Sequence, residues 1–405
     1  MKILVITQMY PQPDDEGGNK VTHTVEYFAK EWVESGNEVV VFHCSSKFPF
    51  ALYLTPRFLK NYYAYKTSTI IPSIKSRKKL YRENLGIKIH RIPMFKFFPG
   101  RNYSKKTIND VCVNIEKIIE QNGFIPDLVL GHFANPSLEI VSILSEKYKA
   151  MSSIVFHGDC NEKTIVKYRI IENIKKIKAV GVRSNCEALK VKKLLNLQFD
   201  PFVCCSGVPN ELVKIVNTEC VKHSFTSRIK YLYVGSIIAR KHLDSVIIAF
   251  SNVSRENDTL EIIGAGPEED KLKKLVIKKK IKNVYFLGRL PRNEVIKKME
   301  ESNILTLISD NEVYGMVYIE AMLKGCLTIA SKEGGFDGII RNYENGFLCS
   351  PGDTNELIDL YKSILNLSYD ARNEIGNKAI KTALKFSEKD VANNYLKDIV
   401  ECNRR

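Results

Sequence analysis

Two glutamates eight positions apart, in Glu312-Val-Tyr-Gly-Met-Val-Tyr-Ile-Glu320, are the residues of this chain best suited to hold a polyol. Ionised carboxylates accept hydrogen bonds from sugar and ribose hydroxyls. On one continuous helix the pair would lie about 80° apart and share no face. Gly315 points to another arrangement. Glu312 is expected on the loop leaving a strand at residues 304–308, a helix starts near Gly315, and Glu320 falls one to two turns inside it. The first amides of that helix, from Tyr314 through Gly315 and Met316 to Val317, then make an anion site at the carboxyl edge of a sheet. A diphosphate seated there has a carboxylate near each end, which suits a nucleotide-sugar. The plain alternative is a helix capped by Glu312 with Glu320 in solvent.

Four further constellations are candidates. Gly235-Ser236-Ile-Ile-Ala-Arg240-Lys241 follows the expected strand 231–234; the glycine lets backbone approach a ligand, and the two cations can neutralise a diphosphate. The alternative is a basic pair on a surface loop. Gly17-Gly18, between the first strand and first helix, allows close approach of a phosphate or acceptor, or makes an ordinary turn. His157, at the end of a strand and followed by Gly158-Asp159, faces the crevice where α/β proteins bind ligands. His132 after strand 128–131 is a second such histidine, on the acceptor side with Asp159. Each histidine could equally be structural. Gly264-Ala-Gly266 and Gly288-Arg289 place glycines where a nucleobase could pack on backbone. Asp14 and Asp15 do not form an Asp-x-Asp metal motif, and no metal or cofactor is expected.

Placing these residues requires strands that end at one edge. Residues 2–7 read as a strand and 19–35 as a helix with Val21, Val25, Phe28, Ala29, Trp32 and Val33 on one face. Residues 38–43 form a nearly continuous apolar strand of the kind a parallel sheet buries on both faces. Strands at 128–131, 153–157, 179–183 and 202–205 extend a βα alternation over the first 210 residues. A second series follows at 231–234, 260–263, 284–287, 304–308 and 327–330. The expected fold is therefore α/β with two doubly wound domains: residues 1–210, a linker at 211–228, residues 229–385, and a last helix over 386–405. At 405 residues the chain suits two domains of about 200 each.

Composition narrows the classes. The chain is 44% hydrophobic and 26% charged, which excludes a disordered protein. No run approaches the roughly 20 apolar residues of a membrane span. The short apolar start at residues 3–6 reads as a strand and not a signal core, so a cytoplasmic protein is expected. The ten cysteines lack C-x-x-C pairs or zinc spacing and read as reduced structural thiols, Cys204 and Cys205 included. Nearly all of the +15 net charge sits between Ser45 and Thr107, where fifteen Lys and Arg face one acid, Glu83, for +14. Twelve aromatic residues are interleaved there, among them Phe50, Phe58, Tyr62, Tyr63, Phe97 and Phe98. Basic charge attracts anionic lipid and aromatic rings settle at the membrane boundary, so residues 45–107 are a candidate contact with the inner face of the cytoplasmic membrane. A solvated basic face with core aromatics is the alternative. Nucleic acid is not an expected partner.

The run from Glu312 through Ala321-Met322-Leu-Lys-Gly325, with Gly334-Gly335 and Asn345-Gly346 downstream, resembles the E-x7-E region of the GT-B retaining glycosyltransferase family numbered four. The resemblance spans roughly residues 230–365 and is weaker at the N-terminus. It implies two Rossmann-like domains facing each other across a cleft, with the last helix crossing back to the first, and transfer from a nucleotide-diphosphate sugar, UDP- or GDP-linked, to a saccharide or lipid-linked acceptor. Members build lipopolysaccharide, capsule, glycolipids and sucrose-type products. By the same resemblance Glu320 binds ribose, Glu312 the transferred sugar, the amides around Gly315 the phosphates, and His157 lies beside the reacting sugar. The family carries arginine directly after the glycine at 235; here it is Ser236, with Arg240 as a substitute, while Lys241 matches. Ser206 replaces the asparagine expected before Gly207-Val208. Retention is implied to proceed by front-face attack without metal or dedicated base. Another GT-B enzyme, such as a nucleotide-sugar 2-epimerase or phosphorylase, and a silent partner subunit are the rival readings.

Overall fold

The computed structural model describes residues 1–13, 22–67, 71–214 and 228–404. They form two compact units, one of Met1–Arg183, Ala188–Cys204 and Ala392–Arg405, the other of Ser184–Glu187 and Cys205–Val391.

The first unit is built on eight strands: β1 Lys2–Thr7, β2 Glu38–Lys47, β3 Leu80–Asn84, β4 Ile87–Phe95, β5 Leu128–His132, β6 Met151–Val155, β7 Ala179–Val182 and β8 Phe202–Val203, in the order β3-β4-β2-β1-β5-β6-β7-β8. Every pairing is parallel except β3 with β4. Continuous apolar strands result from burial on both faces: Ile3, Leu4, Val5 and Ile6 are all fully buried. Helix Thr24–Glu34 buries Val25, Phe28, Ala29 and Trp32. Two features carry no clear local signal in the sequence. Strand β2 runs on to Lys47, because Cys44, Ser45 and Ser46 are buried and pair with the long β4. The basic segment holds a hairpin whose two-residue loop, Leu85-Gly86, has both φ positive (51° and 74°), the geometry that matches strand twist.

The second unit has six parallel strands: β9 Lys230–Val234, β10 Thr259–Ile263, β11 Val284–Gly288, β12 Ile304–Leu307, β13 Leu327–Ser331 and β14 Phe347–Cys349, ordered β11-β10-β9-β12-β13-β14. The chain winds outward from β9 to β11, then returns to the other side of β9 with β12. That reversal opens a crevice at the carboxyl ends of β9 and β12. The last helix, Glu388–Arg404, belongs to the first unit from Ala392 onward. There Tyr395 packs against Phe28 (5.1 Å between ring centroids) and Trp32 (5.5 Å), and the Trp32 indole donates to Ala392 O (3.0 Å). No described helix is long and apolar enough to cross a membrane.

Candidate functional site

The loops after β9 and β12 bring together residues 71 apart in sequence. Lys241 closes the 3-10 turn Ala239–Lys241 and forms an ion pair with Glu312, the two side chains being 10% and 11% exposed. Arg240 Nη1 lies 3.9 Å from the same Glu312 Oε2 and donates to Asp310 O (3.2 Å). The Arg240 carbonyl accepts from Asp310 N–H (2.8 Å), so the loops are tied by backbone as well as charge. His242 Nε2 and Asp310 Oδ2 lie 2.7 Å apart beside them. Burial pushes the Lys241 ammonium below its ordinary value more strongly than Glu312 pulls it back up.

The helix Met316–Leu323 starts at Gly315, whose φ is +80° and where a Cβ would stand 2.5 Å from the Tyr318 ring. Tyr318 is held in place by its hydroxyl, which donates to Leu307 O (2.7 Å). Its own amide donates back to Gly315 O (3.1 Å), so the helical ladder begins there. The amides of Met316 and Val317 are those a helix start leaves without an intrahelical acceptor. Glu320 sits one turn in, paired with Arg292 at the start of helix Arg292–Glu301. Burial raises the Glu320 carboxyl above its usual range, and the Arg292 guanidinium opposes that rise. A phosphate at the helix start would meet two cations of the β9 loop on one side. Hydroxyls of a ribose and a sugar would meet the two carboxylates.

Not every candidate joins this group. Gly264 and Gly266 serve the β9 loop: a Cβ at Gly264 would stand 1.8 Å from Gly235 O, and one at Gly266 2.1 Å from Ile237 O. Gly235 N–H donates to Ile263 O (2.9 Å) and Gly264 N–H to Gly288 O (2.8 Å), which locks the three loops in step. Gly264→Ala, at φ +146°, is therefore expected to cost at least about 3 kcal/mol, read as a fall in denaturation midpoint; an unchanged midpoint refutes the loop lock. Ser236 is exposed, and its carbonyl accepts from the Tyr233 hydroxyl (3.1 Å). Arg289 is exposed next to Gly288. Gly17 and Gly18 lie outside the described residues. Arg292, Asp310 and His242 were missed in the sequence. Each acquires its place only through strand order, and no local pattern links Arg292 to Glu320.

In the first unit His132 and His157 end β5 and follow β6. His132 Nδ1 lies 3.1 Å from His157 Nε2, and His132 Nε2 lies 3.4 Å from the Tyr395 hydroxyl. His132 is completely buried, so His157, which keeps some exposure, stands in front of it. Burial and the nearby Arg183 push His132 down to about 3 and His157 well below its ordinary value, so both rings are neutral. Asp159 fixes the loop, accepting from Ala134 N–H (2.5 Å) and His157 N–H (2.9 Å). Its carboxylate is thus committed to backbone. Phe133 stacks on His157 with centroids 4.1 Å apart.

Two doubly wound, mostly parallel units, the second with a cationic loop and two carboxylates about a helix start, define a two-domain α/β class with a polar crevice at the carboxyl ends of β9 and β12. Residues 219–382 match the family described as Glycosyl transferases group 1. The chain is 26% identical over 312 residues to an uncharacterised glycosyltransferase of Methanocaldococcus jannaschii, covering 76% of this chain and 83% of that one. It is 24% identical over 359 residues to a putative teichuronic acid biosynthesis glycosyltransferase, TuaC, of Bacillus subtilis, covering 85% and 84%. Among solved structures it is similar to Anabaena HepE in complex with UDP, with a TM-score of 0.67 at 15% identity and coverage of 99% and 100%. The fold is that of the GT-B structures, and the group 1 glycosyltransferase match lies on the second unit, which carries the site.

Proposed function

We propose that this chain is a retaining, metal-independent glycosyltransferase of family four that moves a sugar from a nucleotide-diphosphate sugar to a saccharide or lipid-linked acceptor in cell-surface polysaccharide assembly. The observation that carries the reading is the meeting of Lys241, Arg240 and Glu312 ahead of the helix Met316–Leu323. Lys241 has three protons to donate and Glu312 uses one, which leaves capacity for a phosphate. As the bond from the anomeric carbon to the phosphate oxygen breaks, negative charge grows on the departing diphosphate. The Lys241 ammonium, the Arg240 guanidinium and the amides of Met316 and Val317 would stabilise it. The acceptor hydroxyl forms the new bond on the same face and gives its proton to the departing phosphate oxygen. Glu312 would orient the sugar, Glu320 the ribose, and His157 would donate a hydrogen bond to the reacting sugar.

A panel of UDP-, GDP- and ADP-sugars tests this. Acceptor-dependent release of nucleoside diphosphate, with the anomeric configuration of the donor kept in the product and no effect of a chelator, is the expected result. Inverted product would refute retention; release as a free epimer would refute transfer.

The working location proposed is the anionic inner face of the cytoplasmic membrane. Helix Phe50–Leu54 buries none of its side chains, and Phe50, Leu54, Phe58, Tyr62, Tyr63, Phe97 and Phe98 are all exposed within the basic segment. The Arg77 guanidinium lies over Phe50 (5.7 Å) and Tyr53 (5.3 Å), placing charge next to apolar surface. Anionic vesicles are expected to sediment the protein in a salt-sensitive way. Phe97→Ser with Phe98→Ser should lower the partition at least about tenfold, from the apolar area lost. Equal sedimentation of wild type and variant would count against insertion.

A further inference from the structure

The carboxyl edge of the first sheet holds a cation that the transfer reading leaves unused. Lys96 follows β4, and its amide donates to Lys47 O at the end of β2 (2.8 Å), which extends the ladder by one residue. Its side chain is only 5% exposed, and Nζ stands 4.0 Å from the centroid of the Tyr103 ring. Tyr103 is held at three points. Its hydroxyl shares a hydrogen bond with Ser46 Oγ (2.8 Å), its amide donates to Asn102 Oδ1 (2.8 Å), and its carbonyl accepts from Arg169 Nη2 (3.2 Å).

Among the described residues no carboxylate pairs with Lys96. The charge acting on it is another cation, Lys167, whose carbonyl accepts from Asn102 Nδ2 (2.8 Å) and whose ammonium lies 5.1 Å from the Tyr168 ring. Arg169 adds no net charge, since Glu139 neutralises it (Nε to Oε2 3.1 Å). Burial and Lys167 together push the Lys96 ammonium down to about 7. A buried ammonium that feels a second cation is costly unless an anion completes the group, and the Tyr103 ring fixes where that ammonium stands.

We propose that Lys96 and Lys167, walled by Tyr103 and Tyr168, form an anion site that takes a phosphate or carboxylate group of the acceptor. The assignment to the acceptor rests on the transferase reading; the anion site does not. An acceptor so held is an anionic one: a sugar phosphate, a lipid-linked phosphate or a sugar acid.

Inorganic phosphate and malonate are the probes, added at low salt near pH 7 while the melting temperature of the full chain is followed. At least one of the two is expected to raise the wild-type melting temperature, and the more effective one tells phosphate from carboxylate. Lys96→Met, which keeps the apolar stem, should weaken the response at least about tenfold, while Lys96→Arg keeps it. Lys167→Ser changes an exposed side chain without risk to folding and should weaken the response about threefold or more. Lys241→Met should retain the response while losing donor turnover, which separates this site from the donor site. A wild type that responds to neither probe overturns the inference. So does a response that, followed in a Lys241→Met background so that the donor loop does not contribute, survives both Lys96→Met and Lys167→Ser, or one that disappears only in Lys241→Met. Loss of transfer activity for every donor, with the anion response intact, would refute the transferase reading and leave the site standing.

Discussion

Lys241→Met is expected to reduce kcat/KM for sugar transfer by about two to three orders of magnitude, with most of the loss in kcat. The ammonium is proposed to act on charge that grows as the diphosphate departs, so its contribution is larger in the transition state than in the bound donor. The substitution also strands the largely buried Glu312 carboxylate. Arg240, 3.9 Å away, can swing in to meet it, so the stability loss should stay at about 1–3 kcal/mol, below that of an isolated buried charge. A melting curve separates the two effects: a folded variant with a collapsed kcat supports the assignment. A folded variant with wild-type kcat would remove Lys241 from the chemistry. Combining Lys241→Met with Glu312→Gln should restore part of the stability and none of the rate, because the second change removes the stranded charge without returning the cation.

The other large effect is expected at Glu320. Glu320→Ala should raise the donor KM about 10- to 100-fold and change kcat little, since hydrogen bonds to ribose are the same before and during reaction. Arg292 sharpens the test. It keeps the Glu320 carboxyl from rising further under burial. In Arg292→Met only burial remains, so the carboxyl should take up its proton at higher pH than in the wild type. Donor KM should accordingly begin to rise at higher pH as the solution is acidified, whereas in Glu320→Ala this limb of the KM profile disappears. An unchanged KM in Glu320→Ala, with the protein folded, would end the ribose assignment.

Much of the fold was legible because its signals are local. Both-face burial makes parallel strands apolar throughout, so β1, β5, β9, β10 and β12 stood out within a residue or two of their observed ends. The β3–β4 hairpin was not legible, since Leu85-Gly86 lacks the Asn-Gly or Asp-Gly chemistry that marks such loops, and charge dominated the reading of that segment. The Gly264-Ala-Gly266 run was recognised as a place of close approach, but what approaches is the β9 loop's own backbone. His132 ends its strand as a ligand-facing histidine would, but its complete burial puts it behind His157.

By itself the sequence determined two βα series, a helix beginning at Gly315 with carboxylates before and within it, and a basic, aromatic segment in the first half. These follow from side-chain periodicity, helix-start chemistry and composition, all of which act over a few residues. Only the tertiary structure decided the partners: Lys241 with Glu312, Arg292 with Glu320, and Lys96 with Tyr103 in place of an acid. Each depends on which strand lies beside which. The return of the chain to the far side of β9 sets the first of them, and that choice is made by the packing of whole layers, which no short window of residues contains.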